Sequence, residues 1–89
     1  MAETCIRDRI ATFKEDNAAR SFTGIYTFNQ DGESYTILDH GIAFDATAEV
    51  LNSDCEVVCT YGGFRIPNSD CDRFQEGINR AVTEWEGGK

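Results

Sequence analysis

The sequence predicts an α+β domain: an N-terminal helix, an antiparallel meander of four to five strands and a C-terminal helix, with both helices packed on one face of the sheet. Three observations carry that expectation. Apolar residues recur at helical spacing at both ends of the chain, as Ile6, Ile10 and Phe13, and again as Cys71, Phe74, Ile78, Ala81 or Val82, and Trp85. Between them the period is two. Turn dipeptides interrupt the alternation at short intervals, which joins neighbouring strands as antiparallel pairs. With 89 residues the chain forms a single domain, 1–89, with a small core.

Residues 4–19 read as the first helix, with Cys5 beside its apolar stripe and Arg7, Asp8, Arg9, Lys14, Glu15 and Asp16 around the rest. Phe22 to Phe28 is aromatic and β-branched, a strand composition. Asn29-Gln30-Asp31-Gly32 closes it with a strong hairpin signal, and Ser34 to Leu38 returns. After Asp39-His40-Gly41, residues 42–51 alternate as a strand. The stretch from Asp45 to Leu51 also fits a short helix capped by Asp45. Cys55 to Tyr61 alternates again, Gly62-Gly63 makes a hairpin loop, and Phe64 to Ile66 is a short last strand ended by Pro67. Asn68 or Ser69 caps the final helix, with Asp70 and Asp72 in its first turn and Gly87-Gly88 beyond its end.

Charge is distributed unevenly. From Ser21 to Phe64 there is no lysine or arginine over 44 residues, yet seven carboxylates: Asp31, Glu33, Asp39, Asp45, Glu49, Asp54 and Glu56. The flanks nearly cancel, so most of the net charge of −8 belongs to the sheet. If the far face of the sheet is open, Asp45, Thr47, Glu49, Glu56 and Thr60 lie on it, and carboxylates at alternate positions stand ~7 Å apart. That spacing suits a surface which replaces a phosphate backbone on a basic protein. These seven acids are the candidate partner-binding residues. Direct nucleic-acid binding is disfavoured for want of cations on the sheet.

Catalytic and metal motifs are not found in the sequence. His40 is the single histidine. A dyad with Cys55 or Cys59 is conceivable, but an exposed turn histidine is the simpler reading. A serine triad meets the same shortage and has no Gly-x-Ser-x-Gly elbow. Cys55 and Cys59 at i and i+4 of a strand stand ~13 Å apart, too far to share a zinc ion. No EF-hand or phosphate loop is present, so neither a cofactor nor a metal is expected. The start Met-Ala-Glu-Thr-Cys lacks the basic and apolar regions of a secretory signal, and no run is long enough to span a membrane. A cytoplasmic protein with Cys5, Cys55, Cys59 and Cys71 as free buried thiols is expected, although four cysteines also allow two disulfides in three pairings.

In size, acidity and absence of catalytic motif the chain resembles the small inhibitors encoded by phages and mobile elements, of the anti-CRISPR and DNA-mimic kind. That resemblance implies a non-catalytic protein acting in the host cell, docked on a basic site of a nucleic-acid-handling machine. A second resemblance is carried by residues. Gly24-Ile25-Tyr26-Thr27-Phe28, Asp31-Gly32-Glu33 and Ser53-Asp54-Cys55-Glu56-Val57-Val58 are similar to strand openings of sterol-carrier lipid-transfer domains, as is Phe74-Gln75-Glu76-Gly77 to a later segment. It implies a lipid or small-ligand carrier. The late strand and apolar C-terminal helix that line the tunnel in that family have no counterpart here.

Overall fold

The computed structural model describes residues 2–19, 22–41, 48–61 and 71–88. Helix α1 spans Ala2–Asn17, followed by strands β1 (Gly24–Gln30), β2 (Glu33–Asp39), β3 (Ala48–Leu51) and β4 (Val57–Tyr61). A 3₁₀ turn at Asp72–Phe74 leads into α2 (Gln75–Asn79), and β5 (Val82–Glu86) completes a five-stranded antiparallel sheet in the order β4-β3-β2-β1-β5. The class is α+β, with an N-terminal helix, as the periodicity predicts.

The β1–β2 hairpin forms where Asp-Gly predicts it. Asp31 and Gly32 have φ of 54° and 83°, the left-handed pair that a two-residue hairpin needs to match strand twist. The β3–β4 turn is organised by Asn52, whose Oδ1 accepts from the backbone N–H of Asp54 and of Glu56, each at 2.9 Å. Residues 48–51 are strand, in favour of the alternating reading. The expected strand residues 42–47, including Asp45 and Thr47, lie outside the described residues. So do Gly62-Gly63, the expected strand Phe64–Ile66, Pro67, and the proposed helix start at Asn68, Ser69 and Asp70.

The C-terminal helix is much shorter than its stripe predicts. Helical structure stops at Asn79, where Arg80 N–H donates to the carbonyls of Glu76 and Gly77. Val82 to Glu86 then pairs with β1, in the register Ile25↔Trp85 and Thr27↔Val82 with a bulge between. Ile78, Ala81 and Trp85 fit a helical period, but Val82-Thr83 and Trp85 suit an extended chain as well. Tertiary context decides between them. Without β5, the outer backbone groups of β1 are left as an open edge.

The helices also lie on opposite faces, not on one. Ile6, Ile10 and Phe13 of α1 pack with Ile25, Leu38, Leu51 and Trp85. Phe74 and Ile78 pack with Phe28, Tyr35, Ile37, Val50 and Cys59. Ile25↔Leu38 and Tyr26↔Ile37 are adjacent cross-strand pairs, so their side chains point to opposite sides. The sequence contains the reason. Tyr35 to Leu38 is buried at four consecutive positions, which requires cover on both faces. Gly77 permits the close approach of α2, because a β-carbon there would collide with the Phe28 ring.

The cysteines are paired. Cys5–Cys55 ties α1 to the β3–β4 turn with Cα atoms 6.0 Å apart, and Cys59–Cys71 ties β4 to the start of the 3₁₀ turn at 5.3 Å. The expectation of free thiols is overturned. Spacing along the chain could not have chosen the partners, which a helix and a turn 50 residues apart bring together.

Candidate functional site

An antiparallel sheet sorts residues by the end at which they fall. The β1–β2 and β3–β4 turns share one end, and there the structure gathers Asp31, Glu33, Asp54 and Glu56. Glu33 joins the two turns: its Oε2 accepts from the Ser53 N–H at 3.3 Å and the Ser53 hydroxyl at 3.0 Å. Its Oε1 lies 3.5 Å from the Tyr35 hydroxyl. Glu56 accepts from the Asn52 amide at 2.9 Å. Arg73 is close enough to this end to act on Tyr35, while its guanidinium lies 4.6 Å from the Phe74 ring centroid.

The other acids are elsewhere. Asp39, at the opposite end of β2, accepts from the Gly41 N–H at 3.0 Å. Glu49 is half-buried on the α1 side of β3, where its Oε1 lies 3.3 Å from Arg9 Nη2 and 3.2 Å from His40 Nε2. Thr60, its cross-strand neighbour, shares that side. The seven candidate acids therefore do not form one open negative face. Helices cover both faces, Asp45 lies outside the described residues, and the stretch that lacks cations in sequence borrows one in space. Arg9 reaches Glu49 across 40 residues of chain.

His40 is not a free turn histidine. It packs edge-on against Phe13 with ring centroids 5.1 Å apart and contacts Glu49. A Cys–His dyad is precluded, since Cys55 and Cys59 are held in disulfides. Among the described residues no group of three or more His, Cys, Asp or Glu side chains is arranged to hold a metal ion. No helix among them is long and apolar enough to cross a membrane.

On the α2 side, Asp39 sits near two tyrosines. Burial, then the charge of Asp39, then Tyr26, push the Tyr61 phenol up to about 12. Burial, Asp39 and Glu86 raise Tyr26 in the same direction. A phenol harder to ionise in the folded than the unfolded state stabilises the fold fully below its ordinary value of 10.0. That contribution is lost as pH rises toward about 12. Replacing Tyr61→Phe should flatten the alkaline fall of the unfolding midpoint across this window and leave neutral pH little changed. An alkaline profile identical to the parent's would show that Tyr61 does not contribute. Because Tyr26 titrates in the same sense, the slope is reduced and not abolished.

Sequence reasoning missed Arg9 as the partner of Glu49, and Arg9 gives no signal along the chain. The buried Asn17 does give one: it continues the stripe Ile6, Ile10, Phe13, and a polar residue on an apolar stripe marks a buried polar group. Comparison with protein-family models, curated proteins and solved structures finds no match to this chain. What the fold and its surface define is a small α+β domain, stapled by two disulfides, with four acids gathered at one end of its sheet.

Proposed function

We propose that this protein is a non-catalytic binding protein whose acid-rich sheet end docks on a basic site of a larger, nucleic-acid-handling protein and inhibits it. One observation carries the reading: two hairpin turns, bridged by Glu33 and Ser53, bring Asp31, Glu33, Asp54 and Glu56 to one end of a rigid sheet. Carboxylates fixed on turns that the fold already holds meet a basic patch with little ordering cost. The two disulfides favour an oxidising compartment over a reducing cytoplasm, so a basic protein of such a compartment is the partner to seek first. The alternative, a sterol-carrier-like lipid binder, has strand resemblance behind it. The aromatic residues that prompted it, Tyr26, Phe28 and Tyr35, pack with Ile37 around Phe74.

The test is charge reversal at two places. Asp54→Lys with Glu56→Lys alters the sheet end, and Asp8→Lys with Glu15→Lys alters exposed positions of α1. Both change net charge by the same amount. The immobilised protein should retain a basic partner at low salt and release it at high salt or on addition of nucleic acid. The sheet-end pair should weaken retention by at least ~2 kcal/mol and the helix pair should change it little. Equal weakening by both would leave a generally acidic protein without a site.

A further inference from the structure

The apolar stripe of α1 is not wholly covered by the sheet. Phe13 is buried, but Ile6 and Ile10 stay partly exposed. They line a cleft of about 480 Å³ between α1 and the sheet, together with Ser34 of β2 and with Asn52 and Ser53 of the β3–β4 turn. Cys5–Cys55 ties the helix to that turn with Cα atoms 6.0 Å apart, so the two walls are held in place before anything binds. The cleft adjoins the acid-rich end of the sheet. Each of its turn residues donates to a carboxylate: the Ser53 hydroxyl to Glu33 at 3.0 Å, and the Asn52 amide to Glu56 at 2.9 Å. Among the described residues Arg7 is the one charged side chain of the lining, and it belongs to the helix wall. The hollow is thus apolar, with carboxylates along its turn side and a cation on its helix side.

We propose that this cleft takes one apolar side chain, such as leucine, from an extended basic segment of the partner protein, whose cations lie on the acids beside it. The inference rests on the proposed docking of the acidic end and names the segment's chemistry. A run of lysine or arginine meets the turns, an apolar residue enters the cleft, and the residue beyond it, facing Arg7, carries no positive charge. Exposed charge pairs steer a partner but contribute little affinity. An apolar anchor that leaves water in a preformed hollow contributes affinity and fixes the register. The volume is in the lower half of the range for ligand sites, which gives room for one large side chain. A second copy of the chain is a poor occupant, since it brings the same net charge of −8 to the acids. A fatty acid is another, since its carboxylate would meet Arg7 only by lying near Glu33 and Glu56 as well.

The experiment is an amide chemical-shift titration of the whole ¹⁵N-labelled, oxidised protein at constant ionic strength. The probes are the capped peptides Lys-Lys-Lys-Leu-Gly, Lys-Lys-Lys-Ser-Gly and Glu-Glu-Glu-Leu-Gly. Both lysine peptides should shift the amides of Asp31, Glu33, Asp54 and Glu56. The leucine-bearing one alone should also shift Ile6, Ile10 and Ser34, and should bind about tenfold more tightly, because much of the leucine side chain leaves water. The glutamate peptide should not saturate. Ser34→Tyr, which puts a ring into the cleft, should bring the leucine peptide down to the affinity of the serine one. Equal affinity of the two lysine peptides, saturation by the glutamate peptide, or a folded Ser34→Tyr variant that keeps the tenfold preference would each overturn the anchor. If the shifts from both lysine peptides stay at the sheet end, the anchor alone falls. If neither peptide shifts that end, the reading on which the anchor rests falls with it. The peptides are compared on the parent protein, so the outcome is decided even if Ser34→Tyr does not fold.

Discussion

Full reduction of the disulfides should leave the chain at the edge of unfolding. Cys5–Cys55 closes a loop of 50 residues and Cys59–Cys71 one of 12. Loop-closure entropy in the unfolded chain assigns them roughly 4 and roughly 3 kcal/mol. Domains of this size are stable by only about 5–15 kcal/mol in total, so the loss of roughly 7 kcal/mol removes most of the margin. The longer loop should matter more. Urea titrations of the oxidised protein, of the protein in strong reductant, and of the Cys5→Ala with Cys55→Ala variant would show it as a stepwise fall in midpoint. An unchanged midpoint in reductant would mean that the cysteines do not hold the fold together.

Phe74→Ala should cost about 3–5 kcal/mol. The side chain is 1% exposed, and its ring centroid lies 4.9 Å from that of Tyr35 and 6.3 Å from that of Phe28. The cost is large because α2 is only five residues long and has no independent stability. It stays helical because Phe74, at its start, is anchored in the sheet. Phe74→Leu should recover part of the loss by refilling part of the cavity. The effect should not simply add to reduction of Cys59–Cys71, since Cys59, Cys71 and Phe74 share one cluster. A cost under about 1 kcal/mol, ordinary for a surface position, would mean that α2 is not docked on the sheet in this way.

Local chemistry explains what could be read in advance. The stripe of α1, the Asp31-Gly32 hairpin and the antiparallel run through β2 depend on neighbours in sequence, and all three are found. The end of α2 was not legible, because Val82 to Trp85 satisfies two periods and the deciding influence is the edge of β1, more than 50 residues earlier. The covered second face was legible and overlooked: Ile37-Leu38 and Val50-Leu51 are adjacent apolar pairs, which an open face does not tolerate. The acidic surface was misjudged because proximity along a meander is not proximity in space. Residues 31–33 and 53–56 meet at one end, whereas Asp39 and Glu49 fall toward the other, where a helix supplies Arg9. The disulfide partners were invisible for the same reason.

The strand order has a consequence for biosynthesis. A nascent chain emerges with β1 to β4 in sequence, and each can pair with the one before it as it appears. The first strand of that series, however, is flanked on its far side by the last, residues 82–86. Trp85 from that late segment also meets Phe13 of the earliest helix, ring centroids 6.0 Å apart. Assembly of the sheet therefore waits one strand short, with the edge of β1 bare, until residues 82–86 can pair with it.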